Sequence, residues 1–236
     1  MHIRPDIKII GFDADDTLWA SEPYYRALEQ VFCDLVQDIM PPEISSRELY
    51  KTELGNMPLY GYGAKAYTLS IIETALRISN NKLPETSIQT ILEAGKNLAD
   101  SPLELLDNVE AVLKNLSLRY KLIVATKGDL LDQERKLKKS KLESYFHHIE
   151  IMSDKQTGDY QKLFQHLDIK AEEFLIIGNS LKSDVLPVLE LGGYAIHIPY
   201  HTTWLHEKMD ACNLPQERFI KVESITQILQ DCPWIF

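Results

Sequence analysis

The segment Ile9-Ile10-Gly11-Phe12 runs directly into Asp13-Ala14-Asp15-Asp16-Thr17-Leu18, so an apolar stretch of strand length ends in three carboxylates. In open parallel sheets ligands bind at the carboxyl ends of strands, which is where such acids would lie. Carboxylates held together repel one another unless a cation neutralises them, and a set of oxygen ligands suits a hard ion such as Mg²⁺. The pattern by itself fits a solvated loop equally well.

Three further apolar runs end in residues with chemical potential. Leu122-Ile123-Val124-Ala125 leads into Thr126-Lys127-Gly128, which presents a hydroxyl and backbone N–H groups of the kind that bind phosphate oxygens. Alone it reads as an ordinary strand-to-helix turn. Ile149-Glu150-Ile151-Met152 is followed three residues later by Lys155, with Lys162 as a second candidate lysine further on. Leu175-Ile176-Ile177 ends in Gly178-Asn179-Ser180, and Asp184 follows where a helix would begin. An acid at a helix start is favoured for its own sake, so that position too is ambiguous in isolation.

These runs must be positioned by something, and their alternation with helical patterns predicts a parallel sheet with helices on both faces. Strands are expected at residues 7–12, 122–125, 149–152, 174–177 and 194–198, with a possible edge strand at 219–222. Residues 109–118, 130–141 and 183–191 read as helices, and 223–230 as a final one. About 110 residues separate the first strand from the second, far more than a crossover helix needs, so an inserted domain is expected there. Apolar residues recur at helical spacing over 23–39, 64–78 and 88–98, which makes the insert a small helical bundle. The expected organisation is an α/β core of residues 1–19 and 102–236 with a helical insert over 20–101. The stretch Gly55-Asn56-Met57-Pro58-Leu59-Tyr60-Gly61-Tyr62-Gly63 reads either as a separator between two helices or as a substrate-facing loop.

Composition narrows the function classes. Of 236 residues, 44% are hydrophobic and 25% charged, as in globular domains, and no run approaches the roughly 20 apolar residues of a membrane span. The N-terminal residues show no secretory pattern, so a cytoplasmic location is expected. A formal net charge of −10, without a long Lys or Arg run, opposes binding to nucleic acid. Cys33, Cys212 and Cys232 are widely spaced and read as reduced thiols, and neither His147 with His148 nor His201 with His206 has metal-ligand spacing.

Taken in order along the chain, the acid pair, Thr126, Lys155 and the Gly-Asn-Ser segment with Asp184 together resemble the haloacid dehalogenase superfamily. The resemblance covers about residues 7–18 and 109–199 and implies a Rossmann-like core. It implies that Asp13 attacks phosphorus to form an aspartyl-phosphate and that Asp15 protonates the leaving oxygen and later activates water. Thr126, with Lys127 beside it, and Lys155 would bind the phosphoryl group. Mg²⁺ would be held by Asp13, the backbone carbonyl of Asp15, and the segment carrying Asn179 and Asp184. The superfamily usually has Asp where Asn179 stands and Asn where Ser183 stands, so the coordination by this segment departs from the common pattern. An acid two positions after the nucleophile marks the phosphoryl-transfer branch and argues against dehalogenation. The helical insert would be a cap that closes on a small phosphorylated metabolite. A phosphoacceptor signalling domain collects similar residues, but its phosphorylated Asp lies on a later strand and no such insert follows its first.

Overall fold

The computed structural model describes residues 6–201, 214–215, 217–232 and 235. Cys212 and His206 lie outside the described residues.

Six parallel strands form one sheet: β1 (Ile9–Phe12), β2 (Lys121–Lys127), β3 (His148–Met152), β4 (Phe174–Gly178), β5 (Tyr194–His197) and β6 (Phe219–Lys221), in the order β3-β2-β1-β4-β5-β6. The central strands β1, β2 and β4 are almost uninterruptedly apolar because both faces are covered. On one face Ile10, Phe12, Leu122, Val124, Leu175, Ile177 and Ile196 join Val112, Leu113 and Leu116 of helix α5 (Val109–Leu116). On the other, Ile9, Ile123, Ala125, Phe174, Ile176 and Ala195 meet Tyr160, Leu163 and Phe164 of α7 (Thr157–Leu167) and Val188 and Leu189 of α8 (Leu186–Glu190). The alternation of side along each strand assigns consecutive residues to opposite layers. Each fully buried Ile or Leu here contributes roughly 1.5–3 kcal/mol of transfer free energy. The expected edge strand is β6, and the tail closes with a 3₁₀ turn, Ile225–Gln227, and α9 (Ile228–Asp231).

The connections fix where a site must lie. From β1 the chain passes to β2 and outward to β3, then returns to β4 on the other side of β1 and proceeds outward to β6. Adjacent strands β1 and β4 are therefore where the direction of winding reverses, the place where open sheets leave a crevice at their carboxyl edge. Phe12 lies opposite Val124 on one side and Ile177 on the other, so Asp13 and Asn179 follow the paired ends of neighbouring strands.

The chain divides into two compact units: residues 1–20, 103–127 and 134–236, and residues 21–102 together with 128–133. The second unit contains α1 (Glu22–Val36), α2 (Pro42–Tyr60), α3 (Ala64–Ile78) and α4 (Glu85–Ala99). Its core comprises Leu28, Phe32, Val36, Leu49, Tyr67, Ile71, Ala75, Ile91 and Leu98. Helix α3 approaches α4 so closely that a Cβ on Gly95 would lie 2.3 Å from Thr68 Oγ1. The residues Gly128–Gln133, read from the sequence as part of the core, belong to the second unit, where Asp129 pairs with Lys65 at 2.7 Å.

The stretch from Gly55 to Gly63 proves to be helix over most of its length. Helix α2 continues through Pro58 to Tyr60, and the break falls at Gly61 and Gly63, both with positive φ. Only these last residues separate α2 from α3, because φ values of 69° and 104° are freely available to glycine alone.

Candidate active site

Asp13 is the first residue beyond β1, and its backbone N–H still donates to Ile177 O on β4 at 2.9 Å. That bond fixes the Cα at the switch point and turns the buried carboxylate to the sheet edge. Next, the chain makes a tight loop. Asp16 adopts φ 61°, its N–H donates to Trp19 O at 2.7 Å, and Leu18 N–H donates to Ala14 O at 2.8 Å. The loop returns Thr17 to Asp13, where its hydroxyl donates to Asp13 Oδ2 at 2.9 Å. The spacing of the sequence gave no signal for this contact between Thr17 and Asp13.

Lys155 lies between two acids. Its Nζ is 2.5 Å from Asp13 Oδ1 and 2.6 Å from Asp184 Oδ1, and its side chain is 1% exposed. Lys162 instead points outward from α7, 72% exposed and paired with Asp159. Three charged groups are thus buried together with two negative charges against one positive. Burial pushes the Asp13 carboxyl up to about 7; Lys155 opposes this and Asp184 adds to it. Burial on its own would lower Lys155, but the adjoining Asp13 and Asp184 carboxylates outweigh it and hold the ammonium well above its usual value.

Asp184 is placed by a specific local structure. After β4, Ser180 caps a single π-helical turn, Leu181–Val185, that precedes α8; Ser180 Oγ accepts from Ser183 N at 2.9 Å. The Ser180 N–H donates to Asp184 Oδ2 at 2.9 Å, which turns the carboxylate back over the strand end. Gly178 is required beneath it, since a Cβ there would lie 2.3 Å from Asp184 Oδ2. Asn179 comes to the same place: its Oδ1 is 3.5 Å from Thr17 Oγ1, and its backbone carbonyl accepts from His197 Nε2 at 2.9 Å. Burial holds His197 below its usual pKa, so it serves as a neutral donor at the end of β5.

The remaining residues singled out from the sequence fall as follows. Thr126 is buried near the end of β2, two residues beyond the Val124 that pairs with Phe12. Lys127 Nζ donates to Ser183 Oγ at 2.9 Å, linking β2 to the turn that carries Asp184. Asp15 has partners of its own: Oδ1 accepts from Trp19 Nε1 at 2.8 Å, and Lys136 Nζ lies 3.0 and 3.2 Å from its two oxygens. Neither Trp19 nor Lys136 stood out in the sequence. Asp15 to Trp19 is an i, i+4 pair, but in this irregular loop spacing alone did not signal it; Lys136 lies 121 residues from its partner.

The donor set fits a small hard cation. Among the described residues no group of three or more His, Cys, Asp or Glu side chains could hold a metal ion, which leaves two convergent carboxylates, Asp13 and Asp184, with the Asn179 amide oxygen nearby. One or two carboxylates supplemented by neutral oxygens and water is the arrangement Mg²⁺ favours, whereas zinc sites want nitrogen or sulfur and calcium more oxygens.

A parallel sheet with its winding reversed between β1 and β4, and an acid–lysine–acid cluster at that edge, places the chain among the doubly wound α/β proteins with charged groups where such folds bind ligands. Comparison with known proteins agrees: residues 7–192 match the model of the haloacid dehalogenase-like hydrolases. This chain belongs to that family. A haloacid dehalogenase-like hydrolase from Xanthomonas campestris is 35% identical over 94% of this chain and 89% of its own, with a TM-score of 0.84. A 2-haloacid dehalogenase from Pseudomonas syringae is 16% identical with a TM-score of 0.63, covering 94% of this chain and 96% of its own. A predicted phosphoglycolate phosphatase from Haemophilus somnus is 18% identical with a TM-score of 0.61, covering 95% and 97%. No curated protein matches the sequence significantly.

Proposed function

We propose that this hydrolase is a Mg²⁺-dependent phosphatase acting on a small phosphorylated metabolite. The observation that carries the reading is the buried Asp13–Lys155–Asp184 cluster, with a second carboxylate, Asp15, two residues from the nucleophile on the same loop. Nearby folds include both a dehalogenase and a phosphatase, so the fold leaves the choice to the site. Asp15 favours phosphoryl transfer, because a halide leaves without a proton whereas an alkoxide needs one.

In the first step an Asp13 oxygen attacks phosphorus while the bond from phosphorus to the ester oxygen breaks, and that oxygen takes the proton of the Asp15 carboxyl. In the second, the Asp15 carboxylate takes a proton from water as the water oxygen attacks phosphorus, which releases phosphate and restores Asp13. Thr17 donates to Asp13 Oδ2 and so orients the attacking carboxylate. Lys155 offsets negative charge beside it, and Thr126 supplies a hydroxyl at the adjacent strand end. Asp13, Asp184, Asn179 and the Asp15 backbone carbonyl would hold Mg²⁺, which when bound draws negative charge from a transferring phosphoryl group. The helical unit is assigned the part of a cap that excludes bulk water and selects the leaving group.

The test is hydrolysis of p-nitrophenyl phosphate with Mg²⁺, with a 2-haloacid as the competing substrate. The wild type is expected to release phosphate and no halide, and Asp13→Asn to lose at least about 10³-fold in kcat. Halide release without phosphate release would overturn the reading.

A further inference from the structure

We infer that Lys136 and Trp19 form a positioning clamp for Asp15, fixing the carboxylate that serves the leaving group; this rests on the phosphatase reading given above. Asp15 Oδ1 accepts from Trp19 Nε1 at 2.8 Å and from Lys136 Nζ at 3.0 Å, and Oδ2 is 3.2 Å from the same ammonium. Donors arriving from two directions restrict rotation about the Asp15 side-chain bonds, which a single contact would leave open. The Asp15 side chain remains 27% exposed, so the clamp orients it without sealing it away from a bound ester.

Both donors are themselves fixed. Trp19 is buried at 1% exposure, pairs with Leu105 as an isolated β-bridge, and its carbonyl accepts from Asp16 N. The indole N–H therefore has one direction to point. Lys136 lies on α6 (Leu130–Ser140), beside Leu137, which is buried in the main core. Its neighbours Lys138 and Lys139 are exposed, as surface lysines ordinarily are, whereas the Lys136 side chain is only 16% exposed. Withdrawing an ammonium and its long stem from water is unfavourable unless a partner compensates, and Asp15 is that partner. Because Lys136 touches Asp15 rather than the reacting atoms, its effect on turnover passes through the position of that carboxylate.

A positioning role for the leaving-group acid predicts a dependence on leaving group that a purely structural role does not. The experiment measures kcat and KM with Mg²⁺ for p-nitrophenyl phosphate, whose leaving group departs readily, and phenyl phosphate, whose leaving group needs a proton. Lys136→Met is expected to lower kcat for phenyl phosphate about ten-fold more than for p-nitrophenyl phosphate, with KM little changed; the full contribution of a general acid is roughly 10²–10⁴-fold. Lys136→Arg should recover most of the loss. In an Asp15→Asn background, Lys136→Met should add nothing, since the group it orients has been removed. Trp19→Phe, which keeps the ring and deletes the donor, should show the same selectivity for the poorer leaving group and serves if Lys136→Met does not fold. Equal losses on both esters, a change confined to KM, or losses that add to those of Asp15→Asn would overturn the clamp. A wild type that hydrolyses neither ester would instead overturn the phosphatase reading on which the clamp rests.

Discussion

Lys155 is the residue whose removal the structure penalises most directly. With it gone, Asp13 and Asp184 would face each other in a buried site without a positive charge, and breaking a buried ion pair in this way costs roughly 3–5 kcal/mol. Lys155→Met should therefore lower the urea midpoint strongly, and added Mg²⁺ should restore more stability to this variant than to the wild type, since a cation can take up the uncompensated charge. Asp13 makes a separate prediction through pH. An acid whose folded pKa is raised from 3.8 to about 7 binds its proton more tightly folded than unfolded, so its ionisation destabilises the fold progressively over that interval. In EDTA, the stability of wild type relative to Asp13→Asn should fall as pH rises from about 4 to about 7 and then level off, as read from urea midpoints. A gap that stays constant with pH would contradict the burial argument. The acids and lysine of this cluster were readable from the sequence because each follows an apolar run in a fixed order. Thr17, Trp19 and Lys136 were not, because their hydrogen bonds depend on loop geometry and on contacts across the chain that spacing does not encode.

The elements that hold these residues were legible in proportion to how regular their apolar pattern is. Helix α3 spans Ala64–Ile78, as its periodicity predicts, and strands β1, β2 and β4 coincide with continuous apolar runs. Helix α2 escaped recognition for physical reasons: it buries only Ser45 and Leu49 along its length, and it contains Gly55 and Pro58, residue types that ordinarily end helices. The turn before α8 is π-helical, a form without a sequence signature, and it is this turn that brings Asp184 back against the Ser180 N–H. The close approach of α3 and α4 gives a test at this scale. Gly95→Ala would place a methyl 2.3 Å from Thr68 Oγ1, whose own bond to Ala64 O is 2.7 Å, so one side chain must shift. A destabilisation of roughly 1–3 kcal/mol is expected, visible in urea unfolding monitored within the helical unit. A neutral or stabilising effect would mean that α4 moves readily away from α3.

The whole molecule consists of a sheet unit that carries the candidate site and an inserted helical unit, residues 21–102 with 128–133. The parallel sheet was legible from the alternation of strand runs and helical patterns, though not its strand order, and the insert was legible from the long gap after the first strand. Membership of Gly128–Gln133 in the helical unit was not, because it arises from tertiary contacts such as Lys65–Asp129. Among the described residues no helix is long and apolar enough to cross a membrane. Substrate choice rests with the helical unit in the proposed scheme, and a panel of phosphorylated metabolites assayed with Mg²⁺ should reveal one class turned over well above p-nitrophenyl phosphate. The claim on which the rest depends is covalent catalysis at Asp13. Its most direct measurement is acid quenching of the enzyme during turnover, followed by mass spectrometry of the peptide containing residues 13–19. A phosphoryl adduct on Asp13 in the wild type, absent from Asp13→Asn, is the predicted result; full turnover of a phosphomonoester with no adduct at Asp13, and with Asp13→Asn as active as the wild type, would contradict it.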